Sequence, residues 1–308
     1  MSKGYVDDSK FYNELIKIVG SDDVLKNEPM KRHTTFRIGG AADYFVMPHT
    51  IVEIREIISL CHDWNIDYYI MGNGSNLLVS DAGYRGVIIQ LYHNFSEIIF
   101  DGCEVRAQSG CLLSKMGNEC LKRQLKGFEF ATGIPGCVGG AVVMNAGAYG
   151  GEIKDCIVSA TFMDREGNVF TLPKEELQLG YRTSIAMEKE YIVLEASFNL
   201  ERGNYEDIEA RIKELRDARI AKQPLEYPSA GSTFKRPEGY FAGKLIQDTG
   251  LKGYRVGGAC VSEKHSGFVI NVENATAQDV ITLTDNIRSR VHEKYGVWLE
   301  LEVRKVGF

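Results

Sequence analysis

Gly133-Ile134-Pro135-Gly136-Cys137-Val138-Gly139-Gly140-Ala141, continued by Asn145-Ala146-Gly147-Ala148-Tyr149-Gly150-Gly151, is the stretch on which the fold turns. Eight of the 25 residues from Gly127 to Gly151 are glycine, and Glu129 is the one charged residue among them. The run is too long and too poor in charge for a surface hairpin. Glycine lets a backbone approach another backbone or a ligand closely. The run is therefore either a buried close-packed turn or a wall laid against a flat ring or a pyrophosphate.

A second group of glycines, Gly72, Gly74, Gly83 and Gly86, lies upstream. Its first loop, Gly72-Asn73-Gly74-Ser75-Asn76-Leu77-Leu78-Val79, follows a predicted strand at Ile66–Met71. The loop fails the dinucleotide fingerprint, because Leu77 stands at the third glycine position and no helix pattern follows. It also lacks the Gly-Lys-Ser/Thr that ends a P-loop. What remains is a tight turn between strands, or a backbone that points successive N–H groups at an anion. Together the two loops favour a dinucleotide bound outside the Rossmann geometry, a flavin rather than a nicotinamide.

The rest of the 308 residues sets limits. Hydrophobic residues at 44% and charged residues at 25% describe an ordinary globular chain. With 36 basic against 42 acidic residues the net charge is −6, which argues against a nucleic-acid partner. No apolar run approaches the ~18 residues needed to cross a bilayer, so no membrane insertion is expected. Met1 to Asp8 has no apolar core, so no secretory signal is read there. Seven cysteines without a C-x-x-C pair point to reduced thiols in a cytoplasmic protein, and the six scattered histidines show no metal spacing.

Periodicity supplies the elements. Phe11, Leu15, Ile18 and Val19 share a helical face, and Thr50 with Glu53 reads as a capping box for a helix lined by Ile54, Ile57, Ile58 and Cys61. Strands are expected at Asp43–Met47, Ile66–Met71 and Val87–Leu91, an α/β opening. Short strands then dominate: Glu97–Phe100, Cys103–Gln108, Val158–Asp164, Val169–Leu172 and Tyr191–Leu200, around a helix near 112–123. Asn204 caps a helix to about Lys222. A strand at Phe268–Val272 precedes a helix from Thr276, and Val297–Val303 alternates strictly enough to predict a last strand. The fold class is α+β.

An ordered set of motifs carries a resemblance. Arg37-Ile38-Gly39-Gly40-Ala41-Ala42, the Gly72–Leu78 loop, Gly133-Ile134-Pro135-Gly136 and Asn145–Gly150 resemble the UDP-N-acetylenolpyruvoylglucosamine reductase (MurB) family. So do Gly180-Tyr181-Arg182-Thr183-Ser184, Ala230-Gly231-Ser232-Thr233-Phe234-Lys235 and Glu302-Val303-Arg304. The likeness runs from about residue 30 to the end. The compact stretch from Ser232 to His265 resembles the branch without a tyrosine-bearing loop insertion, which leaves Tyr240 or Phe241 as candidates to shield a substrate.

The resemblance implies a PCMH/VAO-type two-part flavin domain plus a smaller α+β substrate-binding domain. Its parts would be residues 1–92 with the C-terminal strand 297–308 returning to them, residues 93–203, and a substrate domain at 204–296. It implies non-covalent FAD, NADPH as co-substrate, and UDP-N-acetylglucosamine enolpyruvate as the substrate that becomes UDP-N-acetylmuramate for peptidoglycan. The cofactor would lie on Arg37, Gly72, Asn73, Gly74, Ser75, Asn76, Leu77, Gly133, Ile134, Gly136, Gly139, Gly140, Asn145 and Gly147. Ser232 would give the proton, with Arg182 and Glu302 completing the reaction centre. Lys222, Arg236, Lys244, Gln247 and His265 are the candidates to bind substrate. Another FAD-dependent oxidoreductase of the same fold, or a flavin-binding module without turnover, would share the cofactor residues but not need that reaction centre.

Overall fold

A computed structural model describes residues 8–308, so the N-terminal reading of Met1 to Asp7 lies outside the described residues. The chain forms two compact units and passes between them repeatedly. One comprises residues 8–28, 43–73 and 86–216; the other comprises 29–42, 74–85 and 217–308.

The first unit holds two cores. Helix Asp8–Val19 and helix Ile51–Asp63 cover a sheet whose spatial order is Val24–Pro29, Ala41–Val46, Tyr84–Gln90, Tyr68–Met71. The predicted stripe Ile54, Ile57, Ile58 and Cys61 is buried against it, each isoleucine contributing roughly 1.5–3 kcal/mol. Thr50 accepts from the Glu53 N–H as expected. The Glu53 carboxylate instead takes the His49 N–H at 2.6 Å, so the cap reaches one residue further back than a capping box does. The second core lies on a wholly antiparallel sheet ordered Val169–Pro173, Ile157–Met163, Ile192–Asn199, Glu104–Gln108, Ile98–Asp101.

The second unit is built on helix Ala277–Tyr295 and a three-stranded sheet, Arg255–Val256, Ala259–Val261 and Val269–Asn271. Thr276 and Asp279 form a complete capping box at the start of that helix. Asp81 adds a second cap, accepting from the Ala277 and Gln278 N–H groups at 2.8 and 3.0 Å.

Two expectations change here. Val297–Val303 is not a sheet strand. Leu299 and Val303 are buried and Trp298 and Glu300 exposed, as the alternation predicts, but only Leu301 bridges a neighbour, Phe234. The paired strand is Arg304–Val306, parallel to Leu77–Val79, which itself stands where the sequence reads as loop. Alternation reports which side of a segment is buried; it does not report a hydrogen-bonding partner. The seven cysteines are free thiols. Among the described residues no helix is long and apolar enough to cross a membrane, and no cluster of acidic, His or Cys side chains could hold a metal.

Candidate active site

In the first unit the two glycine loops meet. Asn73 Nδ2 donates to the Pro135 carbonyl at 2.7 Å, Gln90 Nε2 to the Gly72 carbonyl at 3.2 Å, and the Leu113 N–H to the Gly136 carbonyl at 3.0 Å. A Cβ on Gly72 would lie 3.2 Å from both Cβ and Sγ of Cys137. Burial pushes the Cys137 thiol up to about 12, so it packs as a small apolar group and has no thiolate with which to attack a ring.

The middle of the glycine run is a helix, Val138–Met144, hidden from the sequence because glycine disfavours helices by ~1 kcal/mol each. Tertiary bonds start it: Val138 N–H donates to Cys111 O and Gly139 N–H to Ser109 O, both at 2.8 Å. Its two glycines do different things. A Cβ on Gly139 would stand 2.7 Å from the Ser109 Cβ, whereas one on Gly140 would meet nothing within 4 Å. Gly139 is needed for packing; Gly140 faces open space on the first turn. Gly133 is exposed beside it, with Ile134 and Gly136 half-buried. Ser109 Oγ and Thr132 Oγ1 are buried without a partner in the protein, Ser109 behind Gly139 and Thr132 against Gly117. An uncharged, side-chain-free wall open at Gly140 fits the ring and pyrophosphate of FAD.

Arg182, also in the first unit, sits in the turn Gly180–Thr183, closed by reciprocal backbone bonds of 3.2 and 3.4 Å. It adopts a left-handed conformation, φ 56°, with its guanidinium 5.0 Å over the Tyr181 ring. Asn145 is engaged within the protein. It is fully buried, both amide hydrogens go to Glu152 and to the Gly180 carbonyl, and its oxygen takes the Lys154 N–H. Gly147 is likewise a packing residue, since its Cβ would stand 2.7 Å from the Glu152 Cγ.

The second unit brings Ser232 and Glu302 onto neighbouring segments. Phe234 bridges Leu301, the Glu302 N–H donates to the Thr233 carbonyl at 2.9 Å, and the Lys235 N–H to the Glu300 carbonyl at 2.9 Å. Ser232 is exposed between Gly231, φ 76°, and buried Thr233. Thr233 is fixed three ways: its N–H donates to Gly267 O, its carbonyl takes Glu302, and its hydroxyl accepts from the Val269 N–H at 2.8 Å. Asn76 Nδ2 donates to the Glu302 carbonyl at 3.1 Å, and the Arg304 N–H returns to the Asn76 carbonyl at 2.9 Å. The glycine-loop asparagine thus holds the backbone of the candidate acid. Gly74 is buried, its carbonyl accepting from Thr35 N–H, Ser75 half-buried, and Leu77 buried in its strand. Arg37 is exposed at a left-handed turn, φ 55°.

The candidate substrate ligands spread over the second unit. Lys222 is exposed at the end of helix Tyr205–Lys222. Lys244 and Gln247 project from helix Ala242–Asp248, where Lys244 pairs with Asp248 at 2.6 Å. Arg236 lies 3.9 Å over the exposed Phe241 ring, and its Nε donates to the Tyr240 carbonyl at 3.3 Å. His265 is half-buried, and its Nδ1 accepts from the Gly267 N–H at 3.1 Å. Burial holds its pKa below the ordinary value. Sequence reasoning missed Glu152, Thr233 and Ser109. Glu152 alone had a signal, as the acid that closes the glycine motif opened by Asn145.

The comparisons agree with this geometry. Residues 42–173 match the FAD binding domain family, and residues 223–306 match the UDP-N-acetylenolpyruvoylglucosamine reductase C-terminal domain. A crystal structure of p-cresol methylhydroxylase with substrate bound is similar at TM-score 0.62 and 12% identity over 98% of this chain and 90% of that one, which shows the fold alone. The class is an FAD-dependent oxidoreductase. UDP-N-acetylenolpyruvoylglucosamine reductase of Lachnoclostridium phytofermentans is 55% identical over 298 residues, 96% of each chain, and that of Alkaliphilus metalliredigens 52% over 302 residues, 98% of this chain and 99% of the relative. The MurB crystal structure from Thermus caldophilus is similar at TM-score 0.79 and 35% identity over 92% of this chain and 98% of that one. The chain belongs to the UDP-N-acetylenolpyruvoylglucosamine reductase family.

Proposed function

We propose that the protein reduces the enolpyruvyl ether of UDP-N-acetylglucosamine enolpyruvate to the lactyl ether of UDP-N-acetylmuramate at the expense of NADPH, in the cytoplasm, for peptidoglycan synthesis. The observation that carries the reading is the joining of Ser232 to Glu302 through Thr233, 70 residues apart in sequence, on two paired segments in a chain of this family.

Bound FAD supplies the hydride chemistry between NADPH and the terminal carbon of the enolpyruvyl group. That addition leaves the electron pair on the carbon next to the carboxylate, and a proton must follow. Ser232 Oγ–H gives that proton and regains one from water. A hydroxyl is a weak acid, but a carbanionic carbon is a strong enough base to take its proton. By the family motif, Arg182 would offer the developing enolate a permanent, planar, two-pronged charge, which suits it better than the ground state. Glu302 would assist by holding or donating a proton near the substrate carboxylate. Gly136 and Gly140, and the Gly72–Asn76 loop, would hold the cofactor. Lys222, Arg236, Lys244 and Gln247 would serve the diphosphate and sugar of the substrate.

The test is anaerobic. NADPH oxidation should be stoichiometric with added UDP-N-acetylglucosamine enolpyruvate. Ser232→Ala should still lose its flavin colour with NADPH but recover it slowly on addition of that substrate. Equal loss of both half-reactions would remove Ser232 as proton donor.

A further inference from the structure

The glycine motif from Asn145 to Glu152 is only partly explained by cofactor binding, and its two ends meet. Gly147–Ala148 and Gly151–Glu152 pair as a hairpin across Tyr149 and Gly150, whose φ values of 53° and 87° make the mirror-image turn that closes two-residue hairpins. Gly151 is required because a Cβ there would stand 2.6 Å from the Phe130 ring, and Gly147 because of Glu152 itself. The hairpin delivers the Glu152 carboxylate to Asn145 Nδ2 at 2.8 Å. The same nitrogen donates to the Gly180 carbonyl at 3.0 Å. Ser184 Oγ donates to the Val143 carbonyl at 2.8 Å. The turn that bears Arg182 is therefore strapped on both sides to the C-terminal end of the 138–144 helix.

We propose that Asn145 and Glu152 are positioning residues for Arg182: Asn145 pins the Gly180–Thr183 turn, and Glu152 orients Asn145. A bulky residue at positive φ is held there only when its surroundings over-determine it. Here the surroundings are the two straps. Glu152 is well suited to the task because its carboxylate is itself fixed. It accepts from Lys154 Nζ at 2.8 Å and forms a capping box with Asp155. The Lys154 ammonium holds it below the usual carboxylate range against the effect of burial, with Asn145 and the charge of Arg182 acting in the same direction. The same helix begins at the open glycine wall and ends at the Arg182 turn, so one rigid rod of two turns relates the cofactor wall to the arginine.

This inference rests on the role of Arg182 in the proposed reaction, and the experiment separates the two. Holoenzyme carrying Glu152→Gln, Glu152→Ala or Asn145→Ala is compared with wild type by amide exchange and by anaerobic half-reactions. Exchange across residues 179–184 should rise by roughly tenfold or more in Glu152→Ala and Asn145→Ala, with the Glu152→Gln effect smaller. Flavin reduction by NADPH should be unchanged, while reoxidation by UDP-N-acetylglucosamine enolpyruvate slows roughly 10- to 100-fold, as expected for a misplaced group. Unchanged exchange across 179–184, or loosened exchange with reoxidation within twofold of wild type, overturns the positioning role. Wild type that the substrate fails to reoxidise overturns the proposed function instead, and the exchange comparison still decides whether Asn145 and Glu152 hold the turn.

Discussion

Replacing Gly139 and Gly140, one at a time, by alanine should have opposite consequences although the two are neighbours in one helical turn. At Gly139 the new methyl would stand 2.7 Å from the Ser109 Cβ and 3.3 Å from its carbonyl oxygen. Neither neighbour is the loose end of a long side chain, so the first turn of the helix must shift. Overpacking of this kind costs about 1–3 kcal/mol. At Gly140 the methyl enters open space, and alanine gains up to about 1 kcal/mol of helix propensity, less on a first turn. Flavin-free Gly140→Ala should thus melt at or slightly above wild type, and Gly139→Ala roughly 2–10 °C below it. Bound FAD should reverse the advantage, because the methyl on Gly140 occupies the wall proposed to receive the cofactor. Flavin fluorescence titration and melts with and without FAD measure both effects. Gly140→Ala binding FAD with wild-type affinity would refute the assignment of this wall, whatever its melting temperature.

Other expectations follow from the same geometry. Thr233→Val keeps the shape but strands the buried Val269 N–H, at a cost of about 1–3 kcal/mol by denaturant melt; Thr233→Ser should lose far less. Native protein at about pH 8 should offer Ellman's reagent at most the two partly exposed thiols, Cys103 and Cys260, and all seven after denaturation. Burial pushes Cys61, Cys120, Cys137 and Cys156 up to about 12 and Cys111 to about 11. The unfolded chain therefore releases their protons first, and stability should fall as pH rises from 9 towards 12. His265 runs the other way. Its folded pKa lies below 6.5, so the unfolded state binds the proton first and stability is lost as pH falls below 6.5. His265→Asn, which keeps an acceptor for Gly267 N–H but cannot titrate, should flatten that acid limb.

How much was legible in the sequence depends on what kind of information each feature carries. The helix over Ile51–Asp63 and the strands around Val105 and Phe162 were readable because burial imposes a period on the residues themselves. The motif order was readable because a close backbone approach demands glycine wherever it occurs. Leu77–Val79 and Arg304–Val306 were not, since each becomes a strand only through the other, some 230 residues away, and neither carries its partner's address.

The same division runs through the site. The sequence by itself set Arg182, Ser232 and Glu302, the proposed reaction centre, and a glycine run nearly free of charge in a family order. Only the tertiary structure decided their tasks. It turned the glycine run into a helix by hydrogen bonds from Val138 and Gly139 to the Cys111 and Ser109 carbonyls, and it split Gly139 from Gly140. It also bonded Asn145 to the Arg182 turn and tied Glu302 to Thr233 and Asn76. The physical reason is that packing and hydrogen-bond satisfaction are properties of pairs. A residue's identity fixes what it can donate, accept or bury, and the fold alone supplies the partner that uses it.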